Sequence, residues 1–487
     1  MRILLALVAA RLAALAYAVD QSPTSSLGPI VNLGYASYAG NATSPAGLED
    51  GPFVFYGNIP YAQPPVGDLR WRAPRMLDEQ AQTGQVADAR GWGPPCLQRP
   101  AMVGIGSEVN IWKPKSASEG DALPVAVYIH GGGFYANSPQ GFPLYDWIEQ
   151  HGNLVGVSIT YRLGLLGFLG GSLVAADGDL NVGLLDQRAS LEWIQRHISK
   201  FGGDPDNVTV SFSGTRPVPF KRVVAQSIGY GPTRTEAEVE ATFRAIVSAT
   251  NRIPGNQPSQ FAPVIEGPAG FLPGLPSRLI ESGNFSTVEF IGGHCTNDGR
   301  TFAGGPPEDF VTDADIERLV FSRWPAVSNA TMAKALMLYP SPQTSGSPFA
   351  TQYDRAWTMA GEAIFTCLWN APDTVLYNAR PYLGAMHTSD LYYLFSAPYD
   401  RYQSEATLSQ EAIKYWTSFA STGDPSSDQN GHVPLWEQYV GSDARRRMVL
   451  SRGNDTATAS HMETILDDEI ARCRFWMSED VTAETRV

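Results

Sequence analysis

The chain has 487 residues, 43% of them apolar, and a formal net charge of −14. That is enough to bury a large core, and the acidic balance argues against nucleic acid or an anionic membrane as a partner. Its seven histidines and four cysteines form no pair with metal-ligand spacing, so neither a metal nor another cofactor is expected.

The first 18 residues read as a signal peptide. Arg2 precedes ILLALVAA, and Ala16-Tyr17-Ala18 supplies a small-x-small cleavage site, so a secreted mature chain is expected from Val19. No run of roughly 20 apolar residues occurs, so no transmembrane segment is expected. Sequons at Asn41, Asn207, Asn284, Asn329 and Asn454 are compatible with glycosylation on a secretory route.

From Val31 to Pro74, Pro and Gly punctuate every short apolar run, which predicts hairpins and ordered loops. Strands follow at Val109–Trp112, from Leu123 through LPVAVYIH, and over Asn153–Arg162. Asn181–Phe201 is the best helix, with Leu184, Leu191, Ile194, Ile198 and Phe201 on one face, Asn181 placed to cap it and Gly202-Gly203 to end it. Alternation predicts strands at Asn207–Phe212 and Arg222–Ala225, and Thr235-x-x-Glu238 is a capping box ahead of another helix. A short helix at Pro276–Glu281 and a strand at Val288–Gly292 come next. Helices dominate from Asp313 to Asn378, a stunted strand is expected at Tyr382–Ala385, and Ala406–Ser421 is amphipathic. Strands alternating with helices imply an α/β protein. Its central sheet should be mostly parallel with helices on both faces, in one domain over residues 19–487, with a small antiparallel region near the N-terminus.

Gly131-Gly132-Gly133 ends the LPVAVYIH strand. Three glycines leave backbone N–H groups bare at a strand's carboxyl end, which suits stabilising a negative oxygen; alone they could equally be a tight turn. HGGGF, ITYRLGLLGFL and NVGLLDQR followed by LEWIQRHISKFGGDPDNVTV together resemble the type-B carboxylesterase/lipase family of α/β-hydrolases. PYAQPPVGDLRWRAP, FAPVIEG, LPSRLIESG and YWTSFASTGDP extend the resemblance over nearly the whole mature chain.

The resemblance implies a serine ester hydrolase acting on a small ester or lipid through an acyl-enzyme. His387, in GAMHTSD, matches the family's base. Asp298, in HCTNDGRTF, matches its acid, and Gly132 and Gly133 match its oxyanion donors. Cys367 and Cys473 match a family disulfide, which leaves Cys96 and Cys295 over. Tyr392-Tyr393-Leu394-Phe395 could wall an apolar pocket or simply pack a core.

The nucleophile departs from the pattern. The family's G-E-S-A-G should follow the strand at Val208–Val210, yet the chain reads VSFSGTRPVPF over Val210–Phe220, with no G-x-S-x-G and with Pro217 and Pro219 opposing a helix. Ser213 is the nearest remnant. Ser227, in AQSIG, fits a variant elbow, but the matching family serine is not catalytic. Three readings follow: an active ester hydrolase using a substitute serine, a non-catalytic cholinesterase-like binding or adhesion protein, or an ester hydrolase that has lost its elbow segment.

Overall fold

The computed structural model describes residues 24–25, 27–43, 52–80, 84–98, 106–210, 218–227, 229, 233–248, 261–365, 372–373, 381–395, 403–427, 434–440 and 445–487. Residues 1–18, and with them the expected signal peptide, lie outside this set.

Fourteen strands are described: β1 Thr24–Ser25, β2 Gly28–Asn32, β3 Ser37–Ala39, β4 Phe53–Pro60, β5 Val86–Asp88, β6 Glu108–Pro114, β7 Leu123–Ile129, β8 Val155–Ile159, β9 Gly203–Val210, β10 Arg222–Gln226, β11 Glu289–Gly293, β12 Pro372–Asp373, β13 Arg446–Ser451 and β14 His461–Thr464. The central sheet has seven, in the order β11-β10-β9-β7-β8-β6-β4. The five from β11 to β8 are parallel, while β6 runs antiparallel to both β8 and β4. A small sheet of β1, β2, β3 and β5 forms the N-terminal region; it is antiparallel except for the parallel β3–β5 pair.

Alternation along β7 explains why both faces of the sheet are covered. Val125, Val127 and Ile129 point to one side, where they join a core with Trp193 and Ile194 of the helix Val182–His197. Ala126 and Tyr128 point to the other side, against Trp147 of the helix Tyr145–His151 and Trp416 and Phe419 of the helix Gln403–Thr422. Period-two side chains thus feed two helical layers from one strand. A third core gathers the helices Asp313–Arg323, Asn329–Leu338, Gln352–Ile364 and Asp467–Trp476.

The expected strands before residue 300 form with shifts of a few residues, the last two residues of Asn207–Phe212 lying outside the described set, and the Thr235 capping box is present. Three expectations are corrected. Asn181 does not cap the helix it precedes: its φ is +51, and its side chain turns instead to the backbone N–H (2.8 Å) and carbonyl (2.8 Å) of Val264 and to Glu266. That helix is α only to His197, and Ile198–Phe201 tightens to a 3-10 turn. Tyr382–Ala385 is not a strand, because Pro381–Leu383 forms a 3-10 turn and Gly384 takes φ +60. Of the Tyr392–Phe395 run, Tyr393, Leu394 and Phe395 pack into the core on the helix Ser389–Phe395.

One connection is unusual. β9 and β10 are adjacent and parallel, yet only the eleven residues 211–221 join them, and 218–221 are not helical. A parallel crossover ordinarily takes a dozen or more residues, most often with a helix. By contrast, the helix Val182–His197 lies between β8 and β9, and the helices Glu236–Val247 and Pro276–Glu281 lie between β10 and β11.

Arg162 and Asp186 form an ion pair with side-chain exposures of 1% and 2%. Nε and Nη2 each donate to the carboxylate at 2.7 Å, and Nη1 donates to the Arg70 carbonyl at 3.0 Å, so the chain after β8 is fastened to the helix Val182–His197. Arg162→Met leaves the Asp186 charge buried and unmatched. We expect a loss of about 3–5 kcal/mol, read from urea unfolding; a loss below about 1 kcal/mol contradicts this role for the pair.

Candidate active site

The carboxyl ends of the parallel strands share one rim, where open α/β sheets bind ligands. The glycine loop follows β7, and Asp298 follows β11 in the sequence His294-Cys295-Thr296-Asn297. Asp298 opens the short helix Asp298–Ala303 and is 2% exposed. That helix lies hard against the helix Gln352–Ile364. A Cβ at Gly299 would collide with the Trp357 carbonyl and sit 2.7 Å from the Gly361 amide nitrogen, so only glycine permits the approach.

His387 Nδ1 lies 3.1 Å from Asp298 Oδ1. With the N–H on Nδ1 donating to the carboxyl, Nε2 is left as the basic nitrogen. The second oxygen of Asp298 accepts from the Cys295 amide at 3.0 Å and from the Ser227 hydroxyl at 3.3 Å. His294 is also close, with Nδ1 3.8 Å from that oxygen. Phe302 and Phe365 enclose the His387 ring, with centroids 5.1 and 5.4 Å away.

The acid segment itself carries the histidine loop. Asn297 donates its amide to the Ala385 carbonyl (3.0 Å), and its Oδ1 accepts from the Ala385 amide (3.0 Å). Arg300 Nη1 donates to the Tyr382 carbonyl at 2.9 Å, and Thr301 Oγ1 accepts from the His387 amide at 3.3 Å. Beyond His387, Thr388 takes φ +77, an uncommon conformation for a β-branched residue. Asp390 then returns to the sheet: Gln226 Nε2 donates to it at 2.7 Å, and the Cys295 thiol lies 3.5 Å from its other oxygen.

At the glycine loop, Gly132 and Gly133 take φ values of +127 and +61. A Cβ on Gly132 would collide with the Ala136 carbonyl. Among the described residues, no acceptor engages the amides of Gly131, Gly132 or Gly133. The loop is anchored by His130, whose carbonyl accepts from the Tyr161 hydroxyl at 2.8 Å and whose ring stacks on Tyr161. Burial pushes the His130 imidazole down to about 4, so it is neutral and donates from Nδ1 to the Gly131 carbonyl at 3.0 Å.

Asp298 and His387 are therefore together, and the glycines stand on the same rim. Ser213 and Cys367 lie outside the described residues. Cys473 is disulfide-bonded, and Cys96 and Cys295 are free and buried. Ser227 takes φ +48 at the end of β10, but its hydroxyl serves Asp298; among the described residues no side chain hydrogen-bonds Nε2 of His387. Sequence reasoning missed Asn297, Thr301, Phe302, Gln226 and Asp390, whose roles arise from contacts across the fold. The pairing of Ser227 with the acid had one legible signal, a serine closing the strand before the acid strand.

The sheet order, the glycine loop after β7, and the acid and histidine beyond β11 define an α/β-hydrolase. A crystal structure of Aspergillus niger EstA agrees, with a TM-score of 0.79 at 24% identity, covering 94% of this chain and 99% of that one. The chain belongs to the Carboxylesterase family, whose model matches residues 28–215 and 215–476. Lipase 1 of Geotrichum candidum is 26% identical, with 85% of this chain and 91% of the lipase covered. Phenmedipham hydrolase of Pseudarthrobacter oxydans is 30% identical, with 84% and 94% covered. The match to Lipase 1 extends over 525 positions, more than the 487 residues of this chain, so the lipase carries stretches without a counterpart here.

Two outcomes test the site's construction. Gly299→Ala overpacks the helix contact and should cost about 1–3 kcal/mol in urea unfolding; an unchanged midpoint contradicts the contact. Burial, and then the Asp298 carboxyl, push the Asp390 carboxyl above the ordinary carboxylate range, against the pull of His387 and Gln226. A carboxyl raised in the folded state gives stability that is present below its unfolded value, near about pH 4, and lost as pH rises through the folded value. Asp390→Asn lacks that loss and should gain on the parent as pH rises above about 4. A difference that stays flat with pH contradicts it.

Proposed function

We propose that the chain is a secreted carboxylic ester hydrolase by descent, with its chemistry built for acyl transfer to a serine. His387 is the base and then the acid, Asp298 holds its tautomer, and the amides of Gly132 and Gly133 receive the oxyanion. The single observation that carries this reading is the Asp298–His387 hydrogen bond at 3.1 Å, with the other carboxyl oxygen already committed to Cys295 and Ser227.

As written, the chain turns over little or no ester, because the elbow that should supply the nucleophile is absent from its sequence. Ser213 is the nearest remnant. We read this as loss of a coding segment. Three facts support the reading: the eleven-residue connection between parallel β9 and β10, the meeting of the two family matches at residue 215, and the surplus positions in Lipase 1. Without the serine and the amide that follows it, the oxyanion site lacks one of its donors.

The remaining features fit a secreted, single-domain product over residues 19–487, with a Cys367–Cys473 disulfide. Asn284, Asn329 and Asn454 are exposed and Asn41 is half-buried, so these four suit glycan attachment. Asn207 suits it less: its side chain bonds Arg222 at 2.5 Å and the Ser421 carbonyl at 3.3 Å. The alternative, a non-catalytic cholinesterase-like binding protein, draws on the same absent elbow.

A serine-directed fluorophosphonate separates these readings. The chain as written should take no label, whereas a chain with a G-x-S-x-G segment restored between Val210 and Phe220 should label at one serine. Stoichiometric labelling of the unrestored chain overturns the lost-segment reading. A restored, folded chain that stays unlabelled overturns the esterase reading.

A further inference from the structure

One ring away from His387 stands a cation that has no counter-ion among the described residues. Arg323 ends the helix Asp313–Arg323, and its guanidinium carbon lies 5.0 Å from the Phe302 ring centroid and 5.5 Å from that of Trp324. The His387 ring also lies against Phe302, 5.1 Å away, so Phe302 touches both groups. Nε of Arg323 is buried with no hydrogen-bond partner, and among the described residues no carboxylate pairs with the group. Burial pushes its pKa down to about 10, which leaves it charged at neutral pH.

The contrast within this fold is sharp. Each of the four most buried arginines has a carboxylate: Arg162 has Asp186, Arg222 has Glu289, Arg355 has Asp313 and Arg472 has Glu362. For Arg323 the two rings and the negative end of its own helix offset part of the charge. Neither replaces a counter-ion for a half-buried side chain whose Nε is shut away from water. The planar fork of a guanidinium matches a carboxylate, which it can bind through two parallel N–H donors.

We propose that Arg323 is an anion-recognition residue, which receives a carboxylate carried by the ester substrate and so favours half-esters of dicarboxylic acids. With the Phe302 ring against both groups, the carboxylate is to lie several bonds from the ester carbonyl. The proposal rests on reading His387 and Asp298 as the ester site, but it concerns binding and needs no nucleophile.

Isothermal titration of the purified chain with monoethyl glutarate and with ethyl pentanoate, a neutral ester of the same shape, tests it. The half-ester should bind about tenfold or more tightly than the neutral ester, the return on one charge-assisted pair, and the preference should shrink as salt is raised. Arg323→Met should abolish the preference and leave ethyl pentanoate binding unchanged, while Arg323→Lys should keep part of it. If both esters bind the parent equally, the anion site is wrong and the ester site stands. If neither binds, both are wrong. Should Arg323→Met fail to fold, the two-ester comparison and its salt dependence on the parent decide alone.

Discussion

Two hydrogen bonds hold this site together. Asn297 clasps the Ala385 peptide through its amide and its side-chain oxygen, both at 3.0 Å, and so ties the histidine loop to the residue preceding the acid. Pro381 and Gly384 leave that loop as a 3-10 turn, so no strand delivers His387 to its place. Asn297, Arg300 and Thr301 do so instead, all from the segment around Asp298. Asp298 and His387 are therefore set by one short piece of backbone, and that piece is fixed by the glycine contact between Gly299 and Gly361. Geometry of this kind is preorganised, which is what acid–base chemistry in a protein requires.

Much of the fold was legible locally. Val125, Val127 and Ile129 alternate with Ala126 and Tyr128, and the two cores take them accordingly. The Thr235 capping box is a short-range device, and it forms. What was not legible depends on partners far along the chain. Asn181 has the right chemistry to cap, but Val264, 83 residues on, offers its side chain two backbone bonds at once. Tyr382–Ala385 has an apolar content that suits a strand, and the backbone demands of Pro381 and Gly384 override it. The residues matching the family's acid and base are brought together in space. Asn297 shows no local pattern, because what selects it is contact with Ala385, and of Ser227 only its place at the end of a strand was legible, not its bond to Asp298.

The β9–β10 connection is where local and global requirements diverge. β9 is paired on both sides, with Val210 level with Val127 on β7 and Val223 on β10, so the sheet closes around it. The crossover that should cover this part of the sheet has only eleven residues. The sequence breaks the crossover rule at this point, the point where the family's chemistry begins. The glycine loop, Asp298 and His387 all stand at the same rim, near the end of the strand whose continuation departs from the pattern.

The account therefore turns on what lies between Val210 and Phe220 in the gene. Sequencing full-length transcripts across the codons for residues 210–220 tests it most directly. The account predicts an additional in-frame coding segment there that encodes G-x-S-x-G followed by a helix-forming stretch. A transcript that is continuous across those codons, with a genome that holds no such segment beside them, would contradict it.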